Sequence, residues 1–259
     1  MEASIPKSIY GPVRSWRLGR SLGVDVLCLD SICSFECVYC QLGKINRVTG
    51  ERGVFVSTEK VLRDLENSGW KEADVITFSG SGEPTLAKNL GEIIERIRKM
   101  TGKPIIVLTN STLLHDREVR SEIGLADKIF CKLDAWSDDV LRRVDRPARG
   151  ISLDSIISGI RLLRKEYPRF LAVQTMILRL PEPPELEKLA EILRSIRPEE
   201  VQLNLPTRPV PHEYFLETRG NEVEFDPGFK RLKTISGEEL EEIRRHLSDL
   251  TGLTLVARG

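Results

Sequence analysis

The sequence predicts an α/β fold: an incomplete (β/α)6 barrel of the TIM type, with parallel strands, followed by an irregular C-terminal extension and a final helix. From residue 21 to residue 205, six short apolar runs alternate with amphipathic segments. Parallel strands joined by right-handed crossovers produce this alternation. The chain has 259 residues, 40% of them hydrophobic, which suffices for one large core. An open doubly wound sheet fits the same pattern, and both arrangements place ligands at the carboxyl ends of the strands.

The apolar runs are the predicted strands, and the segments between them show helical periodicity. Residues 153–167, for example, place Ile156, Ile160 and Leu163 on one helical face. We expect strands at residues 21–28, 74–79, 104–109, 127–134, 170–178 and 201–205, and helices at residues 58–65, 90–100, 116–123, 153–167 and 185–196.

The regular pattern stops after the sixth strand. Residues 207–233 contain three prolines and no clear period, and loops of this length are usually functional or disordered. A capping box at residues 236–239 then predicts a final helix, and residues 253–257 a short strand. We therefore expect a single domain made of an N-terminal extension (1–20), a partial barrel (21–206) and a C-terminal extension (207–259) that packs on the barrel.

Charge and hydropathy exclude several function classes. Lys plus Arg and Asp plus Glu both number 39, so the formal net charge is zero. This balance gives no global positive field of the kind that drives nonspecific nucleic-acid binding. The N-terminal residues hold no apolar run typical of a signal peptide, and no segment approaches the ~18–20 apolar residues of a membrane span. We expect a soluble cytoplasmic protein with reduced thiols and no membrane partner.

Three closely spaced cysteines are the main candidate for a metal site. Cys33, Cys37 and Cys40 follow the first predicted strand in a C-x3-C-x2-C arrangement. A structural zinc site or an electron-transfer cluster uses four protein ligands, whereas three thiolates on a four-iron cluster leave one iron open for chemistry. Cys28 lies five residues upstream and provides the alternative, a closed zinc or iron-sulfur site with four cysteines.

A glycine-rich turn follows the second predicted strand, and contains Gly80, Ser81, Gly82 and Glu83. Glycines let a backbone approach a ligand closely. The turn lacks the Gly-Lys-Ser/Thr of a P-loop and the third glycine of a dinucleotide-binding fingerprint. Taken alone, it fits a tight turn that leads into a helix.

These two motifs together resemble those of the radical S-adenosylmethionine (SAM) superfamily. The cysteine spacing is similar to the superfamily signature, and Ser81-Gly82-Glu83 is similar to its Gly-Gly-Glu segment, with serine in place of one glycine. With the segments at 11–13 and 17–23, the motifs resemble a group of iron-sulfur oxidoreductases that is related to the tRNA wybutosine-synthesis radical SAM enzymes. The resemblance covers residues 9–210.

The resemblance implies cofactors, a partner and roles for named residues. It implies a 4Fe-4S cluster on the three cysteines, SAM on the open iron, and an electron donor of the ferredoxin or flavodoxin type. Reductive cleavage of SAM would give a 5'-deoxyadenosyl radical that takes hydrogen from a substrate, of which an RNA base such as one in tRNA is one class. The implied SAM contacts are Tyr39, Gly80, Ser81, Gly82, Glu83, Asn110, Asp134, Gln174 and Asn204.

Other interpretations of these residues stay open. Asn110 and Asp134 also suit capping and turn roles, and Gln174 and Asn204 suit a structural network of amides. Lys132 shares a strand face with Asp134, and a lysine in a barrel lumen serves a substrate anion or is paired. We expect the pair, with Asp134 or with Glu83.

The substrate is the least defined part of this interpretation. The wybutosine enzymes carry additional upstream cysteines that this chain lacks. The basic residues of the C-terminal segment have two interpretations, a phosphate-binding rim or an ordinary solvated loop. The members of the rim would be Arg208, Arg219, Lys230, Arg231 and Lys233. A modifier of a protein or small metabolite, and a non-catalytic electron-transfer or zinc protein, are the alternative functions.

Overall fold

The computed structural model describes residues 7–28, 30–220 and 228–258. Its strands are β1 (Ile9–Ser15), β2 (Gly19–Val24), β3 (Ile32–Cys33), β4 (Arg47–Val48), β5 (Val75–Phe78), β6 (Ile105–Thr109), β7 (Lys128–Lys132), β8 (Phe170–Met176), β9 (Glu200–Asn204), β10 (Val210–Pro211), β11 (Phe229–Lys230) and β12 (Leu255–Arg258). Its α-helices are α1 (Thr58–Glu66), α2 (Leu90–Thr101), α3 (Arg117–Ile123), α4 (Asp138–Val144), α5 (Leu153–Glu166), α6 (Pro183–Ile196) and α7 (Gly237–Thr251).

One eight-stranded sheet organises the chain, in the order β1-β2-β5-β6-β7-β8-β9-β12. Within this sheet, all neighbouring strands pair in parallel except β1, which pairs with β2 in antiparallel fashion. The six predicted parallel strands are therefore confirmed. Strands β1 and β12 are the edges of the sheet, so the barrel is partial and does not close.

The helices cover one face of the sheet. The large hydrophobic core combines helix residues such as Ile94, Ile160 and Leu193 with sheet residues such as Val107 and Val173. This is the arrangement of a partial barrel with an outer layer of helices, since a doubly wound sheet carries helices on both faces.

The other face of the sheet carries a smaller apolar cluster with no helix residue in it. Ile106, Phe130 and Ala172 form its centre, and Leu18 packs against them from the turn between β1 and β2. We call this face the concave face. The β1–β2 turn therefore reaches over the concave face and helps to close one end of it.

Local signals set the helix boundaries. Helix α5 begins with a capping box formed by Ser152 and Ser155, and α7 begins with the expected one, formed by Ser236 and Glu239. Each box satisfies backbone N–H groups that a helix start leaves unpaired. Helix α2 ends at Gly102, which has a φ of 63°, the left-handed conformation that glycine adopts readily.

Several features go beyond the sequence prediction. Strand β1 lies within the segment predicted as an N-terminal extension, and β12 pairs with β9 inside the main sheet. Helix α4 was not predicted because its polar stretch buries one residue, Leu141. The irregular segment 207–233 contains β10 and β11, which pair with each other; its residues 221–227 lie outside the described residues.

Within the described part of the chain, none of the helices has the length and apolar character that crossing a membrane requires.

Two adjacent leucines of α5 test the assignment of the core. Leu163 is 1% exposed, whereas Leu162 is 38% exposed. We expect Leu163→Ala to lower the free energy of unfolding by about 2–5 kcal/mol, since it removes buried methyl groups and leaves a cavity. Leu162→Ala is the matched control and should cost less than about 1 kcal/mol. Urea unfolding of both variants measures the difference. Equal losses in the free energy of unfolding would show that the core is assigned incorrectly.

Candidate cofactor-binding site

The cysteine loop lies after β2, at the carboxyl end of the first parallel strand. The end of α4 and the loop that follows it hold the cysteine loop in place. Val38 N donates to Val144 O at 2.9 Å, and Ala148 N donates to Ser34 O at 2.8 Å. The three cysteines of the motif are half-buried and carry free thiols; they are Cys33, Cys37 and Cys40.

Each thiol has a defined environment. Cys33 Sγ accepts weak hydrogen bonds from Phe35 N at 3.4 Å and Asn110 Nδ2 at 3.5 Å, and the Cys37 thiol donates to Asp145 Oδ1 at 3.4 Å. Burial raises the pKa of all three thiols. Deprotonated thiolates here therefore need a positive partner, which a bound metal centre supplies.

The donor set fits a three-cysteine iron-sulfur cluster. Thiolates are the ligands such clusters use, and N–H donors to the sulfur atoms are the usual surroundings. Within the described residues, no group of three or more His, Cys, Asp or Glu side chains is arranged to hold a single metal ion. Cys28 is 1% exposed and belongs to the hydrophobic core, and burial raises its pKa to about 11.

The glycine-rich turn packs directly against the cysteine loop. Ile32 N donates to Ser81 O at 3.0 Å, and Glu83 N donates to Ile32 O at 3.1 Å. Gly82 has a φ of 155°, and a Cβ at this position would overlap the Ile32 carbonyl. Only glycine allows this approach, so the sequence motif fixes the distance between the two loops.

Glu83 serves as the anchor between the turn and β6. Its carboxylate accepts hydrogen bonds from Thr85 Oγ1 at 2.7 Å, Thr109 Oγ1 at 2.7 Å and Asn110 N at 2.6 Å. Burial raises the pKa of Glu83, and these hydrogen bonds act in the opposite direction. The adjacent Asn110 side chain donates to Ser34 Oγ at 2.8 Å, so the end of β6 is joined to both loops.

Asp134 is the centre of a buried ionisable network beside the cysteines. It accepts hydrogen bonds from Tyr39 OH and from Met176 N, the latter at 2.7 Å. Lys132 Nζ lies 3.4 Å from Asp134 Oδ2 and 4.8 Å from the centre of the Tyr39 ring. Of the two expected ion pairs of Lys132, the pair with Asp134 is therefore the one that forms.

The ion pair of Lys132 and Asp134 governs the electrostatics of this network. Burial opposes the charge of Lys132, but Asp134 and its neighbours outweigh burial and raise the pKa of Lys132. Burial raises the pKa of Asp145 well above its usual value, and the negative charge of Asp134 adds to this. Tyr39 OH also lies 3.3 Å from Asp145 Oδ1. Asp145 follows α4 and was missed at the sequence level, because no motif surrounds it.

Gln174 and Asn204, two of the predicted SAM contacts, belong to a chain of hydrogen bonds on the concave face. Gln174 Nε2 donates to Gln202 Oε1 at 2.8 Å, and Asn204 Nδ2 donates to Gln202 O at 3.2 Å. The structure thus brings Gln174 and Asn204 together through Gln202, one strand away from Lys132.

The C-terminal segment forms another wall of the site. Phe215 N donates to Leu42 O at 3.0 Å, and Tyr214 OH donates to Ser81 Oγ at 3.2 Å. Arg219 Nη1 forms an ion pair with Asp25 Oδ2 at 2.8 Å, and the same oxygen accepts hydrogen bonds from Ser81 N and Oγ. The glycine-rich turn is therefore held by a buried ion pair whose members are 194 positions apart.

Comparison with known proteins identifies the class to which this site belongs. The sequence model of the radical SAM superfamily matches residues 30–195, and the chain belongs to this superfamily, whose members use a 4Fe-4S cluster and SAM. Within it, the chain is 48% identical over 256 residues to the UPF0026 protein slr1464 of Synechocystis sp., and this covers 98% of the chain and 96% of the relative. It is therefore a member of the UPF0026 family.

Solved structures share the fold at low sequence identity. A radical SAM methyltransferase from Sphaerobacter thermophilus matches with a TM-score of 0.61 and 17% identity, over 92% of this chain and 65% of that one. SuiB of Streptococcus suis bound to S-adenosylmethionine matches with a TM-score of 0.58 and 13% identity, over 89% of this chain and 49% of that one. These matches confirm the partial-barrel fold.

The Arg219–Asp25 ion pair predicts a measurable contribution to stability. Arg219→Met leaves the 1% exposed Asp25 carboxylate without its cation, and we expect a loss of about 3–5 kcal/mol in the free energy of unfolding. Arg20→Met is the matched control, since the Arg20–Asp74 pair is about half exposed on both sides and its loss should have little effect because solvent screens it. Guanidinium unfolding compares the two variants, and a small loss for both would contradict the structural role of Arg219.

Proposed function

We propose that this protein cleaves SAM reductively and uses the resulting 5'-deoxyadenosyl radical to remove hydrogen from a substrate on the concave face. The observation that carries this proposal is the set of exactly three motif cysteines on one loop, packed against a glycine-rich turn, at the carboxyl ends of parallel strands. Membership of the radical SAM superfamily supports it.

The residues of the chain act by binding and positioning. Cys33, Cys37 and Cys40 hold the cluster, which together with SAM supplies the radical chemistry when an electron donor of the ferredoxin or flavodoxin type reduces it. The backbone from Gly80 to Glu83 binds the amino group of SAM.

Further contacts come from the strand ends around this turn. Asn110 and Asp134 end β6 and β7 and orient the carboxylate and ribose of SAM, while the ring of Tyr39 lies near the adenine. Gln174 and Asn204 contact SAM or the substrate from β8 and β9. The packed loops around the site exclude water, and a radical reaction requires this exclusion.

The structure weakens one argument for an RNA substrate. Arg219, a member of the expected phosphate-binding rim, is bonded to Asp25 and is unavailable for phosphate. Arg208 contacts Gln41 beside the cysteine loop. An RNA base thus remains one substrate class for the proposed reaction, beside a protein side chain and a small metabolite.

The chemistry is tested by anaerobic reconstitution with iron and sulfide, reduction with dithionite in the presence of SAM, and chromatography for 5'-deoxyadenosine. We expect the parent protein to form this product. Cys37→Ala removes one thiolate ligand and should abolish it. A parent protein that holds a complete four-iron cluster and forms no product, with or without a cell extract as the source of substrate, would contradict the proposal.

Cys28→Ala separates a three-cysteine site from a four-cysteine site. Because Cys28 lies in the hydrophobic core, we expect the variant to keep its iron content and its 5'-deoxyadenosine production. Loss of iron from a variant that still folds, as judged by circular dichroism, would instead identify Cys28 as a fourth ligand and favour a closed site.

A further inference from the structure

Three arginines from distant parts of the chain lie close enough for the charges of Arg208 and Arg258 to act on Arg17. Arg17, from the β1–β2 turn, donates from Nη1 to Gln202 Oε1 at 2.7 Å. Arg208, from the segment after β9, donates to Gln41 Oε1, one residue beyond Cys40. Arg258 of β12 and Arg17 both stack on the ring of Trp16, each with its guanidinium carbon 5.2 Å from the ring centre.

These side chains lie between the apolar cluster of the concave face and the cofactor site. The guanidinium carbon of Arg17 is 5.9 Å from the centre of the Phe130 ring, which belongs to that cluster. Its partner Gln202 is bonded to Gln174, the neighbour of Lys132 across β7 and β8. Arg208 approaches from the opposite side, at the cysteine loop. A molecule bound between Arg17 and Arg208 would therefore lie beside the SAM site.

These three arginines differ from the buried arginines of the chain that have a carboxylate partner. Arg52, Arg120 and Arg219, which are at least as buried, each form an ion pair with a carboxylate. Among the residues that the structure describes, no carboxylate forms an ion pair with Arg17, Arg208 or Arg258.

The electrostatic surroundings agree with an excess of positive charge. Burial lowers the pKa of Arg17, and the charges of Arg208 and Arg258 lower it further. Glu200 acts in the opposite direction, but one carboxylate does not balance the charges of three guanidinium groups. Guanidinium groups held close together against mutual repulsion are stabilised by an anion between them.

We propose that Arg17 and Arg208, flanked by Arg258, bind an oxyanion group of the substrate, a phosphate or a carboxylate, on the concave face beside the SAM site. That the bound anion belongs to a substrate rests on the proposed function. The oxyanion site itself is defined by the arginines alone. The planar guanidinium group binds two oxygens of either anion at once.

The test is isothermal titration calorimetry of the full-length protein, without SAM, at constant ionic strength set with sodium chloride. Pyrophosphate and malonate are the two probes, and they distinguish a phosphate site from a carboxylate site. We expect at least one of them to bind saturably, and Arg17→Gln and Arg208→Gln each to weaken that binding by about tenfold or more. Arg161→Gln is the control for loss of one positive charge, because Arg161 is an exposed residue of α5 that bonds to Ser195.

The outcomes separate this proposal from the proposed function. Absence of saturable binding by both probes, or equal weakening by Arg161→Gln, would overturn the oxyanion site. Arg208 lies on an exposed segment, so its variant remains informative if Arg17→Gln does not fold. Saturable binding that depends on Arg208, in a protein that forms no 5'-deoxyadenosine, would support the oxyanion site while refuting the radical chemistry.

Discussion

The site depends on the contact between Gly82 and the carbonyl of Ile32. This contact joins the glycine-rich turn to the residue that precedes Cys33, and only a residue without a Cβ permits it. Through Glu83 the same turn is bonded to the end of β6, and through Ser81 to Asp25, the residue after the first parallel strand. The loops that carry the proposed cluster and SAM contacts therefore form one unit, and a shift in either loop moves the other.

The C-terminal segment completes this unit although it lies far away along the chain. Arg219 neutralises Asp25 in a buried position, where an unpaired carboxylate would be strongly destabilising. Arg208 contacts the residue after Cys40. The segment after β9 thus supports the turn from one side and carries a guanidinium group to the cysteine loop on the other. These two contacts explain how residues 208–219, which show little periodicity, have a defined position.

Sequence patterns predicted the parts of the molecule that depend on local periodicity or on a motif. The six parallel strands followed from apolar runs, and the two cofactor loops from their cysteine and glycine spacing. Asp25 carried a usable signal, an acidic residue inside an apolar strand, whereas Arg219 carried none because its partner is 194 positions away. Strand β1 was missed because it is an edge strand with one buried residue and therefore has no apolar run. Asp145 was missed because a loop, not a motif, brings it to Cys37.

The central claim is that three cysteines leave one iron of the cluster open to SAM. Mössbauer spectroscopy of the anaerobically reconstituted protein, recorded with and without SAM, tests this claim directly. We predict that SAM changes the signal of one iron site and leaves the other three unchanged, because SAM nitrogen and oxygen replace a weak ligand at that iron. Four iron sites with thiolate-type signals that SAM leaves unchanged would contradict the claim and show a closed cluster.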